Sequence, residues 1–382
     1  MVEIEKTRSN SHPDLLQSCI FVILVGVVLI LPGYSLAFAG ENDSIPRNGY
    51  RNLGVLVNAG TIFVHSDDVE NTSGSRPFGM ELEFSKRLLG EKTWHDCHCY
   101  PTRGILIGFT DYDNRILGFG LHLAYFLEYP FLPMSKVTPV IRGAVGLSYS
   151  NRPWHPENNP TNQSYSLPVN AFLQLQFGVD ARIFPGGRLT LRIGYNHISN
   201  GGVRLPNKGI NWPTISMGYS HAFGYFDPPR RSKIPMDANE KRWLQRIELF
   251  SSLSTREMET SRVLWIYGGM YTLARKISRI HTFSGAAEWH YSELLLHEIN
   301  KAASSASAHR AALLAGHDFL IGRFIFSQQI GVYIFDQFRY NDPVYHRWTL
   351  SYVHKTGVSV GVSLKVHRQV AEFTDVRIGW QW

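Results

Sequence analysis

The sequence predicts an all-β fold: an antiparallel transmembrane β-barrel of about 14 strands, within a range of roughly 12 to 16. Three observations lead there. Apolar and polar residues alternate with period two over long segments. Only 18% of the residues are charged, below the roughly 25% of soluble globular chains, while 13% are aromatic, a residue type that suits strands. The N-terminal region has the form of an export signal, and no apolar run after residue 40 approaches the ~20 residues of a spanning helix. Alternation alone also fits a soluble sandwich. The three together favour strands with one side to lipid and one to a lumen, in a sheet closed because lipid offers no partner to an unpaired edge.

Residues 1–39 read as a signal peptide. Lys6 and Arg8 precede the apolar run Cys19–Leu31, and Ala37-Phe38-Ala39 supplies an A-x-A cleavage site. Glu3, Glu5 and Asp14 ahead of the run fit an uncleaved anchor; cleavage after Ala39 is the preferred reading. The barrel then occupies residues 40–382. Met80, Leu82 and Phe84 alternate with Glu81, Glu83 and Ser85, and Val169, Ala171, Leu173, Leu175, Phe177 and Val179 form the apolar face of a longer strand. Val360, Val362, Leu364 and Val366 alternate with Ser359, Gly361, Ser363, Lys365 and His367, which puts His367 on the lumen side in a structural role. Residues 224–240, with Pro228, Pro229 and Pro235, form a long loop. Strands of the same style flank it, so a single barrel is expected. The Ala-, Leu- and Ser-rich segment 294–312 suggests a short helix or a mobile loop. Val376, Ile378, Trp380 and Trp382 alternate with Asp375, Arg377, Gly379 and Gln381, and this aromatic ending resembles the assembly signal of bacterial outer-membrane barrels.

The formal net charge of +7 suits a phosphate-rich partner such as a lipopolysaccharide surface. No nucleic-acid-binding motif accompanies it. Cys97 and Cys99, in WHDCHCY, lie beside His95 and His98, but C-x-C is tighter than the two-to-four-residue spacing of a structural zinc pair. A polar loop is the simpler reading, and a disulfide is the other in an oxidising compartment. Neither a metal nor a cofactor is expected.

Chemistry concentrates in GYNHISNGG, residues 194–202. Leu189, Leu191, Ile193 and Tyr195 share a face with His197 and Ser199, so the last two would sit at the lipid end of an apolar stripe. Polar groups there need partners. In a hairpin with His197 opposite Asn211, Tyr195 meets Pro213, Ile193 meets Ile215 and Leu191 meets Met217, all apolar pairs on one face. Asn211 is then placed to hold the His197 ring while His197 takes a proton from Ser199. Asn200 and the backbone N–H groups near Gly201 and Gly202 are the candidates for oxyanion binding. H-x-S occurs by chance in many chains, and Asn-Gly-Gly is also an ordinary turn.

The run HISNGGVRLPNKGIN resembles the active-site segment of the lipid A 3-O-deacylase (PagL-type) family. That family pairs His and Ser two apart, follows them with Asn, and has P-N-x-G further on, here Pro206-Asn207-Lys208-Gly209. The resemblance implies an outer-membrane esterase with a lipid-facing site that removes an ester-linked acyl chain from lipid A without a metal. It implies His197 as base, Ser199 as nucleophile and Asn200 in the oxyanion hole. Gly90-Glu91-Lys92-Thr93-Trp94, Tyr100-Pro101, Leu117-Gly118 and Pro130-Phe131 are similar to the N-terminal half of longer, acyloxyacyl hydrolase-type relatives. Lys365-Val366-His367, Ala371-Glu372-Phe373 and Ile378-Gly379-Trp380 are similar to their C-terminus. The small founding members have Glu as third triad residue where this chain has Asn211, which orients a histidine without offering it a charge. The competing reading is a non-catalytic outer-membrane barrel, either a channel or a structural protein.

Overall fold

The computed structural model describes residues 48–202, 204–233, 241–254, 264–368 and 370–382. The expected signal peptide, residues 1–39, lies outside the described residues. Among the described residues there are sixteen antiparallel strands, at the upper end of the expected range, but they form two closed barrels of eight rather than one. The first comprises β1 Gly49–Gly60, β2 Phe78–Leu88, β3 Thr102–Asp111, β4 Phe119–Pro130, β5 Val137–Ser150, β6 Val169–Phe184, β7 Gly187–Ser199 and β8 Ile210–Phe223. The second comprises β9 Trp243–Ser254, β10 Leu264–Lys276, β11 His281–Ser292, β12 His309–Ile321, β13 Phe324–Phe335, β14 Val344–Val353, β15 Val358–His367 and β16 Val370–Gln381.

Closure explains the difference from the single barrel expected. β8 returns to β1 in a continuous ladder from Arg51↔Phe223 to Gly60↔Thr214, and β16 returns to β9 from Val376↔Ser251 to Gln381↔Arg246. Alternation tells each strand which face is apolar, but both closures satisfy it equally. The loop expected at 224–240 is the connector between the barrels, and its described part, to residue 233, docks on the first barrel. Trp94 Nε1 donates to the Ser232 carbonyl at 2.9 Å, and Tyr100 donates its hydroxyl proton to the Pro229 carbonyl at 2.7 Å. Trp94 belongs to a short helix, Glu91–Cys97, and Cys97 and Cys99 at its end form a disulfide. The polar-loop reading of that cluster gives way to the oxidised pair. The helix expected near 294–312 spans Glu293–Lys301, capped by the Ser292 side chain, and the chain is back in β12 by His309.

Both barrels are inside out compared with a soluble domain. Ile193, Ile215 and Met217 on the first, and Leu249 and Val376 on the second, are 62–67% exposed. Exposed aromatic residues flank the second barrel's apolar band at both ends, Trp243 and Trp380 at one and Trp265, Tyr267 and Trp289 at the other. This is the girdle of a membrane barrel. No described helix is long and apolar enough to cross a membrane, and the strands do so instead.

The lumens hold charge. In the first, Arg192 meets Glu128 at 2.6 Å, with Glu83 and Asp180 each at 3.6 Å, and Arg142 pairs with Glu83. In the second, Arg347 lies 2.6 Å from both Glu288 and Asp375. His367 faces this lumen, as its strand face predicts, and lies 3.0 Å from Glu372. An eight-stranded barrel is just wide enough for its side chains to fill. Arg142, Phe126 and Phe172 in one lumen and Arg347, Lys365 and Phe373 in the other are fully buried. Large side chains therefore occupy both lumens.

Candidate active site

β7 and β8 pair in the register that the apolar pattern predicts: His197↔Asn211, Tyr195↔Pro213, Ile193↔Ile215 and Leu191↔Met217. Ile198 between His197 and Ser199 points inward and is fully buried, so the two polar side chains lie on the outer face. They are nevertheless shielded, Ser199 being 9% exposed, because the loops at this end fold over them.

His197 Nε2 is 2.9 Å from Ser199 Oγ, and His197 Nδ1 is 2.7 Å from Asn211 Oδ1. The amide oxygen accepts only, so Nδ1 carries the ring proton and Nε2 keeps the lone pair that receives the Ser199 proton. Both distances suit a working general base. The structure adds a residue that sequence reasoning missed. His65, in the loop after β1, has Nδ1 3.1 Å from Asn211 Nδ2 and Nε2 2.9 Å from the Lys208 carbonyl. His65 stands in no periodic segment and 146 residues from Asn211, so no pattern announces it.

The loop after β7 is tied down from several sides. Lys208 N donates to the Gln163 carbonyl at 3.0 Å and Gly209 N to the Ser164 carbonyl at 2.7 Å. Lys208 Nζ sits 2.7 Å from Asp68, and this hydrogen bond and charge hold the Asp68 carboxyl below its ordinary value. The latch between the His65 loop and the Lys208 loop therefore stays ionised to a lower pH than a free aspartate would. Gly209 has φ +78°, and a Cβ there would lie 2.9 Å from His197 Cε1, so both backbone and space call for glycine.

The expected oxyanion residues are placed differently from one another. The Asn200 side chain closes its own turn: Oδ1 accepts from Gly202 N at 3.1 Å, and Nδ2 donates to the Arg204 carbonyl at 2.6 Å and to Ser166 Oγ at 3.2 Å. Both of its amide protons and the Gly202 N–H are thus engaged. Asn200 N donates to Asn207 Oδ1 at 2.8 Å. The Gly201 N–H and the Asn207 Nδ2 group have no hydrogen-bond partner among the described residues. The Gly201 carbonyl accepts from Thr374 Oγ1 of the second barrel at 3.2 Å.

Toward the membrane from His197 and Asn211 runs an apolar groove of about 600 Å³, lined by residues that include Leu175, Phe177, Ile193, Tyr195, Pro213 and Ile215. No described group of three or more His, Cys, Asp or Glu residues could hold a metal ion.

Comparison with known proteins follows the same division of the chain. Residues 93–220 match the family Lipid A 3-O-deacylase (PagL), and residues 245–382 match Acyloxyacyl hydrolase, C-terminal domain. Among solved structures, the outer membrane enzyme PagL is 17% identical, with a TM-score of 0.32, over 43% of this chain and 97% of that one. Neisserial surface protein A (NspA) is 14% identical, with a TM-score of 0.29, over 46% and 96%. OccAB3 of Acinetobacter baumannii is 9% identical, with a TM-score of 0.24, over 88% and 100%. No curated protein sequence matches the chain. The two family matches fall one on each barrel: the first barrel is similar to Lipid A 3-O-deacylase (PagL) and the second to Acyloxyacyl hydrolase, C-terminal domain.

Proposed function

We propose that the protein is an esterase that removes an ester-linked acyl chain from lipid A in the outer membrane, with Ser199 as nucleophile and His197 as base. Ser199 Oγ attacks the ester carbonyl while its proton passes to His197 Nε2. Asn211 Oδ1 holds the opposite ring proton and keeps the imidazole in place. The tetrahedral oxyanion takes the two unengaged donors, Gly201 N–H and Asn207 Nδ2, rather than the Asn200 amide. Collapse breaks the bond to the sugar oxygen, which takes the proton from His197. Water, activated by the same His197, then frees the fatty acid from Ser199.

The observation that carries this reading is the hydrogen-bonded Ser199–His197–Asn211 series on the lipid side of a barrel, directly above an apolar groove. The groove's size is within the ~300–1,000 Å³ of small-ligand sites, and it suits the departing acyl chain. The site lies at the end of the barrel bearing the longer loops, the end that faces outward in such barrels. Lipopolysaccharide is the expected partner there. Three protein groups supply nucleophile, base and orientation, so the chemistry requires no cofactor.

A long-chain alkyl phosphonate tests the reading by trapping the nucleophile. Peptide mass spectrometry is expected to find the phosphonyl group on Ser199 in the unaltered protein and none after His197→Ala. Labelling elsewhere, or equal labelling without His197, would contradict the assignment.

A further inference from the structure

We infer that His65 is a positioning residue whose task is to fix which way the Asn211 amide faces, and through it which nitrogen of His197 carries the proton. The inference rests on the esterase reading of Ser199 and His197.

An asparagine in the third position has a weakness that a carboxylate lacks. Its two ends look alike in shape and are opposite in hydrogen bonding. With Oδ1 toward His197, the ring proton is on Nδ1 and Nε2 is free to act as a base. Turned by half a rotation, the amide presents N–H donors to Nδ1. The proton must then sit on Nε2, where it blocks Ser199. Holding the wrong tautomer is a known route to large losses in such sites.

His65 removes that freedom, and the argument begins at a backbone carbonyl. Lys208 C=O accepts only, so His65 Nε2, at 2.9 Å, must donate to it. In the neutral ring His65 Nδ1 is then an acceptor, and the group facing it at 3.1 Å must be a donor, the Asn211 Nδ2. Phe63 C=O could only accept from a protonated Nδ1, and at 3.4 Å it is the longer of the two contacts to that nitrogen. Asn211 Oδ1 is thereby turned to His197 Nδ1 at 2.7 Å, and His197 Nε2 to the Ser199 hydroxyl at 2.9 Å. All four hydrogen bonds run in one direction, from Ser199 to Lys208 C=O, so each polarises the next. The Asp68–Lys208 ion pair joins the two loops that carry the last two members of this series, His65 and Lys208. His65 touches neither Ser199 nor the ring of His197 in any hydrogen bond described, which separates it from the groups that react.

The test is a double-mutant cycle on purified, detergent-folded protein acting on lipid A, with Ser199→Ala alongside. His65→Ala is expected to lower kcat about 10- to 100-fold with KM little changed. Asn211→Asp offers oxygen from both ends, so His65→Ala in an Asn211→Asp background is expected to cost less than threefold. ¹⁵N NMR of the His197 ring gives a readout independent of turnover: the proton resides on Nδ1 in the unaltered protein and appears on Nε2 in His65→Ala. Full activity of His65→Ala, or an equal loss in both backgrounds, overturns the role of His65 while Ser199→Ala remains inactive. Activity surviving Ser199→Ala would instead remove the esterase reading beneath it. Migration of the unheated protein on gels shows whether each variant is folded, and His65→Gln serves as the second variant if His65→Ala is not.

Discussion

Ser199→Ala is expected to reduce fatty-acid release by about 10,000-fold or more, because nucleophile and base act as a unit and the loss of either removes nearly all of their joint effect. The barrel should fold unchanged. The substitution deletes one hydrogen bond, to His197 at 2.9 Å, whose net worth is about 1 kcal/mol. The ladder that positions the strand, from Gly187↔His221 to Ile198↔Ile210, does not involve that side chain. The comparison is therefore clean: rate at substrate saturation, with folding checked by gel migration. A Ser199→Ala protein with appreciable turnover would mean that another nucleophile does the work.

Arg347→Leu is expected to be the most damaging single change to the second barrel. Arg347 is fully buried and lies 2.6 Å from both Glu288 and Asp375, with its cation over the rings of Phe250 and Phe373. Removing one member of a buried charge network leaves its partners without compensation and costs roughly 3–5 kcal/mol. Lys365, 3.5 Å from Glu288, and Arg377, 2.8 Å from Asp375, soften this but are themselves committed to Glu372 and Glu248. The heating midpoint at which the folded gel band is lost should fall clearly. Neutralising the partners as well, with Glu288→Gln and Asp375→Asn, should recover much of the loss. Arg323→Ala, at an exposed turn, is the control that should change nothing. An unaltered midpoint for Arg347→Leu would show that the lumen is wetter than its burial implies.

Much of this architecture is legible in the residues because a membrane barrel writes its two faces in period two. The stripe Leu189, Leu191, Ile193, Tyr195 and its mirror Pro213, Ile215, Met217 carry enough apolar matching to set the hairpin register, and that register brings Asn211 opposite His197. The division into two barrels is not written there. It depends on β8 meeting β1 rather than β9, and the faces of these strands are equally apolar. Nor is His65 legible, since it lies in a loop whose path is set by contacts such as Lys208 with Asp68, made after the barrel has closed. The proposed oxyanion donors fall between these cases. Asn200 is visible as a polar residue beside Ser199, but only the geometry shows its amide consumed by Arg204 and Ser166 while that of Asn207 is left over. The Cys97–Cys99 pair was ambiguous for a related reason, since spacing weighs against zinc without choosing between a loop and a disulfide.

The central claim is that a Ser–His pair on the outside of the first barrel cuts an ester of lipid A. Mass spectrometry of lipid A from bacteria producing the protein, beside bacteria producing Ser199→Ala, tests it most directly. The account predicts a loss of mass equal to one ester-linked acyl chain with the unaltered protein, and full-length lipid A with the variant. Identical lipid A from the two, with both proteins folded in the outer membrane, would contradict it.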